Sequence, residues 1–298
     1  MLQDGKAALI VSQNLLCLSN RNEIFMTVAQ INRPKTDWTT SLFMVFVHTG
    51  ALLAFLPSNL KWSAVGVALL LHWFTGCLGI TLGWHRLIAH RSFQVPKLLE
   101  YFFVFCGSLA CQHGPIEWIG LHRHHHIYSD QDSDHHDSNK GFWWSHMGWM
   151  LREVPAGQEV ARLTRDIGND PVYLFFNKYF FPLQVLLAIA LYAIGGWPFV
   201  TWGVFVRLVA VYHCTWLVNS ATHKFGYRRF NTDDRSTNCW WVALLTYGEG
   251  WHNNHHAYQY SARHGLKWWE VDITWMTIRL LQSLGLAKNV KLVGSKTT

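Results

Sequence analysis

Three blocks of histidine dominate the chemistry available to this chain: His85 and His90 in HRLIAH, His122, His125 and His126 in HRHHH, and His252, His255 and His256 in HNNHH. Neutral imidazole is the commonest protein ligand for iron, copper and zinc, and eight such rings exceed what one ion can use. Two metals are therefore expected. On a helix, residues three and four apart share a face, so the repeated H-x-x-H-H spacing should project each trio within a narrow arc, while His124 points away. His85 and His90 are five residues apart, about 140° off register. They meet one centre only if the helix loosens between them, or else they serve different metals. His223 in NSATHKFG, with Asn219 one turn earlier, adds a ninth imidazole and an amide.

A histidine-rich surface tract would account for one cluster, but not for three with a repeated spacing. An all-imidazole donor set suits zinc, copper, iron or nickel, and composition does not choose among them. The carboxylate-type di-iron bundle is excluded, because Glu249 to His252 is the only Glu-x-x-His spacing that fits, and it reads as coincidental. Neither H-E-x-x-H nor H-x-x-E-H occurs. Glu117, Asp130, Asp134 and Asp137 are candidates for orienting imidazoles from behind. His113, His146, His213 and His264 lack the block spacing and read as structural.

The elements that must position these rings are membrane helices. Half of the 298 residues are hydrophobic and only 14% are charged, with 17 Trp and 10 Tyr; this is far less charge than soluble domains carry, and the aromatics suit a bilayer interface. Four stretches approach the roughly 20 apolar residues that cross a membrane, at 39–57, 62–82, 179–198 and 200–222. Short turns join them as two hairpins. Of 25 Lys and Arg, only Lys61 in a turn and Arg207 within a span lie outside the N-terminal arm, the central loop and the tail. The positive-inside tendency puts those regions, and every histidine cluster, on the cytoplasmic side. Residues 95–112 are read as a helix at the interface, because a fifth span would strand two clusters on the opposite side.

A net charge of +7 is scattered rather than striped, which favours an anionic membrane surface over nucleic acid. The six cysteines form no C-x-x-C pair and are read as reduced thiols. No cleavable leader is apparent, and Met26 is an alternative start, with residues 1–25 a disordered extension. The expected organisation is an N-terminal arm over 1–37, a membrane domain over 38–275 and a C-terminal tail over 276–298. Metal chemistry at a bilayer points to oxygen chemistry on a lipid chain. Trp118, Trp143, Trp144, Trp149 and Trp216 are candidate tunnel or interface residues, with Gln112 at a bend.

The motifs GWHRLIAHRSF, EWIGLHRHHH, GFWWSHMGW, NSATHKFG and GEGWHNNHHA, in this order, resemble the membrane fatty acid desaturases, specifically their delta-9 acyl-lipid and acyl-CoA branch. The resemblance spans roughly Trp38 to Trp275. It implies an all-α integral membrane protein with four transmembrane helices in two hairpins, capped by a cytosolic helical domain that holds two non-haem irons. Carried over by motif, the iron ligands would be His85, His90, His122, His125, His126, His223, His252, His255 and His256, with Asn219 near one iron through water. Gln112, Trp118, Trp149 and Trp216 would line the acyl tunnel.

The implied activity is insertion of a cis double bond into an acyl lipid or acyl-CoA, using molecular oxygen and two electrons. No fused cytochrome b5 follows the third block, so electrons would come from a separate carrier such as ferredoxin or cytochrome b5. The likeness is strongest to cyanobacterial enzymes acting on glycerolipids, which implies a plasma or thylakoid membrane. One departure is Asp134-His135-His136, where relatives read Asp-Pro-His, and the extra imidazole is expected to face solvent. A di-iron lipid or alkane hydroxylase is the nearest alternative, and a membrane metal transporter a more distant one.

Overall fold

The computed structural model describes residues 35–153 and 157–294. The expected Met26 start, Cys17 and most of the N-terminal arm lie outside the described residues. Among those described, the chain is all-helical, with isolated β-bridges in place of strands. Four helices are long and apolar enough to cross a bilayer: α1 (Trp38–Phe55), α2 (Trp62–Ala89), α6 (Pro171–Gly195) and α7 (Trp197–His223). Between and after them come α3 (Lys97–Ser108), α4 (Pro115–Tyr128), α5 (Gly157–Leu163), α8 (Trp240–Leu245), α9 (His252–Ala257) and α10 (Ile273–Ser283).

Local chemistry starts and stops the spans. Asp37 caps α1 by accepting from Thr40 N at 2.9 Å, and Asp170 caps α6, whose first residue is Pro171. Gly196, at φ +68°, turns α6 into α7 in one residue. Trp202 Nε1, in the second turn of α7, donates to Asn59 O at 3.0 Å, tying the second hairpin to the turn of the first at one end. Both hairpins thus open at the other end, where α2 delivers His85 and α7 delivers His223. The outer spans α1 and α6 have only 17% and 11% of their apolar windows buried, against 50% for α2 and α7. Leu42, Phe46, Leu186 and Ile189 accordingly face outward, as lipid contact requires.

Two spans are longer than hydropathy predicts. The second continues to Ala89 and the third begins at Pro171, because polar Trp84-His85-Arg86 and Asn177-Lys178 depress a hydropathy window without breaking a helix. From Trp73 to Ala89 the chain winds as a π-helix, and His90 N donates to His85 O at 3.1 Å. This wider, five-residue hydrogen-bond repeat is the loosening that His85 and His90 need in order to face one centre.

α3 lies against α2 rather than crossing the membrane as a fifth span. Their contact is backbone to backbone: a Cβ on Gly79 would strike Cys106 and Gly107, and one on Gly107 would strike the Trp84 indole. Trp84, Phe93, Phe103, Val104, Ile119 and Ile278 fill the core around this crossing. α10 straddles residue 275 and returns the chain to the cap, where Gln94 and Lys288 exchange backbone hydrogen bonds of 2.9 and 2.8 Å. All five described cysteines are free thiols.

Gly79→Ala is expected to destabilise the protein by about 1–3 kcal/mol through overpacking. Gly66→Ala, whose added Cβ meets nothing within 4 Å, should be neutral or slightly stabilising. Thermal unfolding of the two variants in detergent checks the difference.

Candidate metal centre

The open ends of the spans gather nine imidazoles into two sets. Ring nitrogens of His85, His90, His122, His126 and His255 lie within 4.8 Å of one another, as do those of His125, His223, His252 and His256. The division cuts through each H-x-x-H-H block. On α4, His122 and His126 join the first set and His125 the second; on α9, His252 and His256 join the second set and His255 the first. The i and i+4 rings stay together and the i+3 ring crosses over, so the single narrow arc expected from spacing is replaced by a reciprocal exchange between two helices.

Within the first set, Nε2 atoms face one another in succession: His85 to His255 at 3.1 Å, His255 to His126 at 3.0 Å, His126 to His122 at 3.0 Å and His122 to His90 at 2.7 Å. In the second, His252 and His223 approach through Nε2 at 3.1 Å, while His125 Nε2 and His256 Nε2 are buried without a partner. For His125, His223 and His256 a carboxylate hydrogen-bonded to Nδ1 fixes the tautomer, and Glu249 lies close behind His85. Asp134 Oδ2 is 2.9 Å from His125 Nδ1, Asp130 Oδ2 2.9 Å from His223 Nδ1, Asp234 Oδ2 2.5 Å from His256 Nδ1 and Glu249 Oε2 2.8 Å from His85 Nδ1. A proton held at Nδ1 by a carboxylate leaves Nε2 as a lone pair. Where both facing nitrogens carry lone pairs, such distances repel unless a cation lies between them. Donors about 2.1 Å from a metal, at right angles to each other, stand about 3 Å apart, which is the spacing found here. The residues fit a metal site.

Electrostatics agree. Burial, reinforced by neighbouring rings, holds His90, His122, His126, His252 and His255 well below the ordinary histidine value, and burial outweighs Asp234 to bring His256 to about 4. Within the two sets, His125 runs the other way: burial lowers it, but Asp134 together with Asp130 and Asp234 raises it above the ordinary value. Burial would raise Asp130, Asp134 and Asp234, but their contacts with His223, with His136 and His125, and with His256 hold all three well below the usual carboxylate range.

Two of the four expected orienting carboxylates take that role. Glu117 pairs with His113 at 3.4 Å instead, and Asp137 accepts from Asn139 N in its own turn. Spacing gave no hint of Asp234, and Glu249, read as coincidental, is the partner of both His85 and His264. Two arginines were also missed. Buried Arg86 bridges Glu249 and Asp272, each at 2.9 Å. Arg123 on α4 donates to Ile88 O at 2.8 Å and Ala89 O at 3.1 Å, clamping the end of α2 between His85 and His90. His135, expected in solvent, is half-buried and stacks on His124 with centroids 4.6 Å apart. His264 stacks on His255, and His146 and His213 bond to each other at 3.0 Å.

A cavity of about 580 Å³ runs alongside, lined by Gln112, Trp118, Trp149 and Trp216, and reaching His122 and Asn219. Trp143 and Trp144 do not line it. A smaller cavity of about 70 Å³ continues past the rings to His72 and Tyr247, and shares Trp118, His122, Thr215 and Asn219 with the larger one. At that junction Gln112 Nε2 donates to Thr215 Oγ1 at 2.9 Å and accepts at Oε1 from Trp118 Nε1 at 3.2 Å.

Four apolar spans carrying two clustered sets of imidazoles that fit metal, beside a mostly apolar cavity, define a membrane protein built for metal chemistry with room for a hydrocarbon chain. The family model of fatty acid desaturases matches residues 60–280. Among curated relatives, the sn-1 stearoyl-lipid 9-desaturase of Anabaena variabilis is 66% identical over 91% of this chain and 100% of its own length. The enzyme of the same name from Synechocystis sp. is 62% identical over 90% of this chain and 86% of its own. The sn-2 palmitoyl-lipid 9-desaturase of Nostoc sp. is 49% identical over 87% and 92%. The chain belongs to the fatty acid desaturase family and is an oxidoreductase that unsaturates fatty acyl chains.

Asp234→Asn is expected to weaken metal binding at the second set about 10- to 100-fold while sparing the first, as measured by competition against a chelator. A second outcome follows from linkage. Burial holds six of these imidazoles below the ordinary histidine value of 6.5, His256 at about 4. The unfolded chain therefore binds more protons, and the metal-free protein should lose stability as pH falls below 6.5. Thermal unfolding between pH 7.5 and 5 tests this sign.

Proposed function

We propose that the chain is a delta-9 acyl-lipid desaturase that introduces a cis double bond into a saturated, glycerolipid-linked acyl chain. The balance is one –CH2–CH2– unit, one O2, two electrons and two protons giving –CH=CH– and two water molecules. A saturated methylene has neither an acidic proton nor a leaving group, so side-chain acid–base chemistry has nothing to act on. Two irons, when bound, supply the oxygen activation that removes two hydrogens. His85, His90, His122, His126 and His255 would hold one and His125, His223, His252 and His256 the other, with Asn219 near a metal through water.

The observation that carries this reading is the position of the cavity junction. The two cavities share Trp118, His122, Thr215 and Asn219 in their walls, and the smaller also borders His85, His125 and His252, so the junction lies beside both imidazole sets. Gln112, hydrogen-bonded to Thr215 and Trp118, lines the larger cavity at that junction, where we place the bend of the acyl path. Trp149 and Trp216 line the approach, and the apolar walls exclude water from the reacting carbons. A chain threaded past the turn presents one pair of methylenes to the metals in a bent conformation, so bond position is set by depth from the headgroup and cis geometry by the bend. The printed activities of the cyanobacterial relatives support position 9 and a lipid-linked substrate.

The site would lie at the cytoplasmic face of a cyanobacterial plasma or thylakoid membrane, where the Lys and Arg concentrate. A separate carrier such as ferredoxin or cytochrome b5 would deliver the electrons.

Expression in a host that accumulates saturated lipids and supplies reduced ferredoxin should yield a monoene at position 9 by gas chromatography, with His125→Ala giving none. A hydroxy acid in place of the monoene, or a profile identical to the His125→Ala control, would overturn the assignment.

A further inference from the structure

Gln112 stands on a strained link. Between α3 and α4 the chain turns through residues 109–114, and both neighbours of Gln112 are non-glycine residues in the left-handed region, Cys111 at φ +55° and His113 at φ +65°. Such conformations persist only where surrounding structure over-determines them. The link is therefore held from outside, and two side chains of α7 hold it. Arg207 Nη1 donates to Leu109 O at 2.8 Å, and Tyr212 Oη donates to Cys111 O at 2.9 Å.

Arg207 is an unusual residue to find there. It is 1% exposed within a membrane span, and among the described residues no carboxylate pairs with it. Its other contacts are neutral: Gly203 O at 2.7 Å, Gln184 Oε1 at 2.8 Å and Thr75 Oγ1 at 3.4 Å. An ionisable group kept in a span without a counter-ion calls for a functional reason. Its location supplies one, since Leu109 caps the C-terminus of α3, where unpaired carbonyls and the negative end of the helix dipole attract a cation. The guanidinium joins α2, α3, α6 and α7 at one point, directly beneath the link, and lines neither cavity.

We infer that Arg207, assisted by Tyr212, is a positioning residue for bond placement: it braces the Cys111–His113 turn so that the Gln112 amide stays at the bend of the acyl path. This rests on the proposed desaturase reading of that path. The brace acts on the bend and not on the metals, because α4 has anchors of its own. Asn177 Oδ1 accepts from Ile116 N at 3.1 Å, Gly114 packs where any Cβ would strike Asn177, and Arg123 pins the other half of α4 to α2 and to Asp166 at 2.7 Å. Loosening residues 109–113 lets Gln112 wander while His122, His125 and His126 stay in place.

The test compares Arg207→Met, Arg207→Lys and Tyr212→Phe, the last removing one hydroxyl and keeping the ring stacked on Trp216. Two readouts are taken on the full-length, iron-loaded protein: amide hydrogen exchange across 109–114 and 115–128, and the positional and cis/trans distribution of the monoene. Exchange in 109–114 should rise at least tenfold in Arg207→Met with 115–128 and iron content unchanged, and minor isomers should rise at least tenfold as a share of product. Arg207→Lys, with fewer donors, should fall between, and Tyr212→Phe should shift both readouts in the same direction even if Arg207→Met fails to fold. Unchanged exchange in 109–114, or an isomer distribution like wild type with yield falling only in step with folded protein, would overturn the brace. Wild-type protein that makes no monoene, with exchange responding as expected, would instead overturn the desaturase reading.

Discussion

The interaction on which this structure depends is the contact between a carboxylate and the back of an imidazole. Asp130, Asp134 and Asp234 each stand 2.5–2.9 Å from an Nδ1 atom, and by holding the proton there they leave Nε2 as a lone pair for a metal; Glu249 lies 2.8 Å behind His85. Without them the nine buried rings would be free to share protons and rotate. With them, three rings of the second set are fixed as lone-pair donors, while burial holds most of the remaining rings below the ordinary histidine value. The metal affinity of the second set in particular depends on this repeated contact.

The remaining architecture keeps those contacts in register. α2 and α7 are the inner spans because they carry His85 and His223 into the cap, and α1 and α6 shield them from lipid. The π-helical end of α2 brings His85 and His90 to one centre, and Arg123 occupies the carbonyls that its altered hydrogen bonding leaves near Ala89. Arg86 joins this end to Glu249 and Asp272, so the third histidine block cannot drift from the first without breaking buried ion pairs, a change that is strongly destabilising in such surroundings. α3, locked to α2 by two glycines, sets where the link carrying Gln112 can begin.

Much of this was legible in the residues. The histidine blocks, the two hairpins and the placement of every block at one end follow from spacing, hydropathy and charge, and Gln112, Trp118, Trp149 and Trp216 do line the cavity. What spacing could not supply is which ring faces which partner. A helix fixes the angle between His122 and His125, but the direction from which α9 approaches decides that they serve different sets. Glu249 looked coincidental because its relevance lies in contact with Arg86 and His85, more than 160 positions earlier, and Asp234 sits in a loop with no pattern at all. His135 differs from expectation for a related reason: a polar loop residue reads as exposed until a stacking partner such as His124 is known. The end of α2 was set too early because hydropathy cannot see a helix that stays helical by changing its winding.

The central claim is that the nine imidazoles form two metal sites rather than one shared site or a protonated cluster. Anomalous diffraction at the iron absorption edge, from crystals of the iron-loaded protein, tests it most directly. The account predicts two separate peaks, one within about 2.0–2.2 Å of the Nε2 atoms of the first set and one equally close to those of the second. A single peak shared between the sets, or no iron at either, would contradict it.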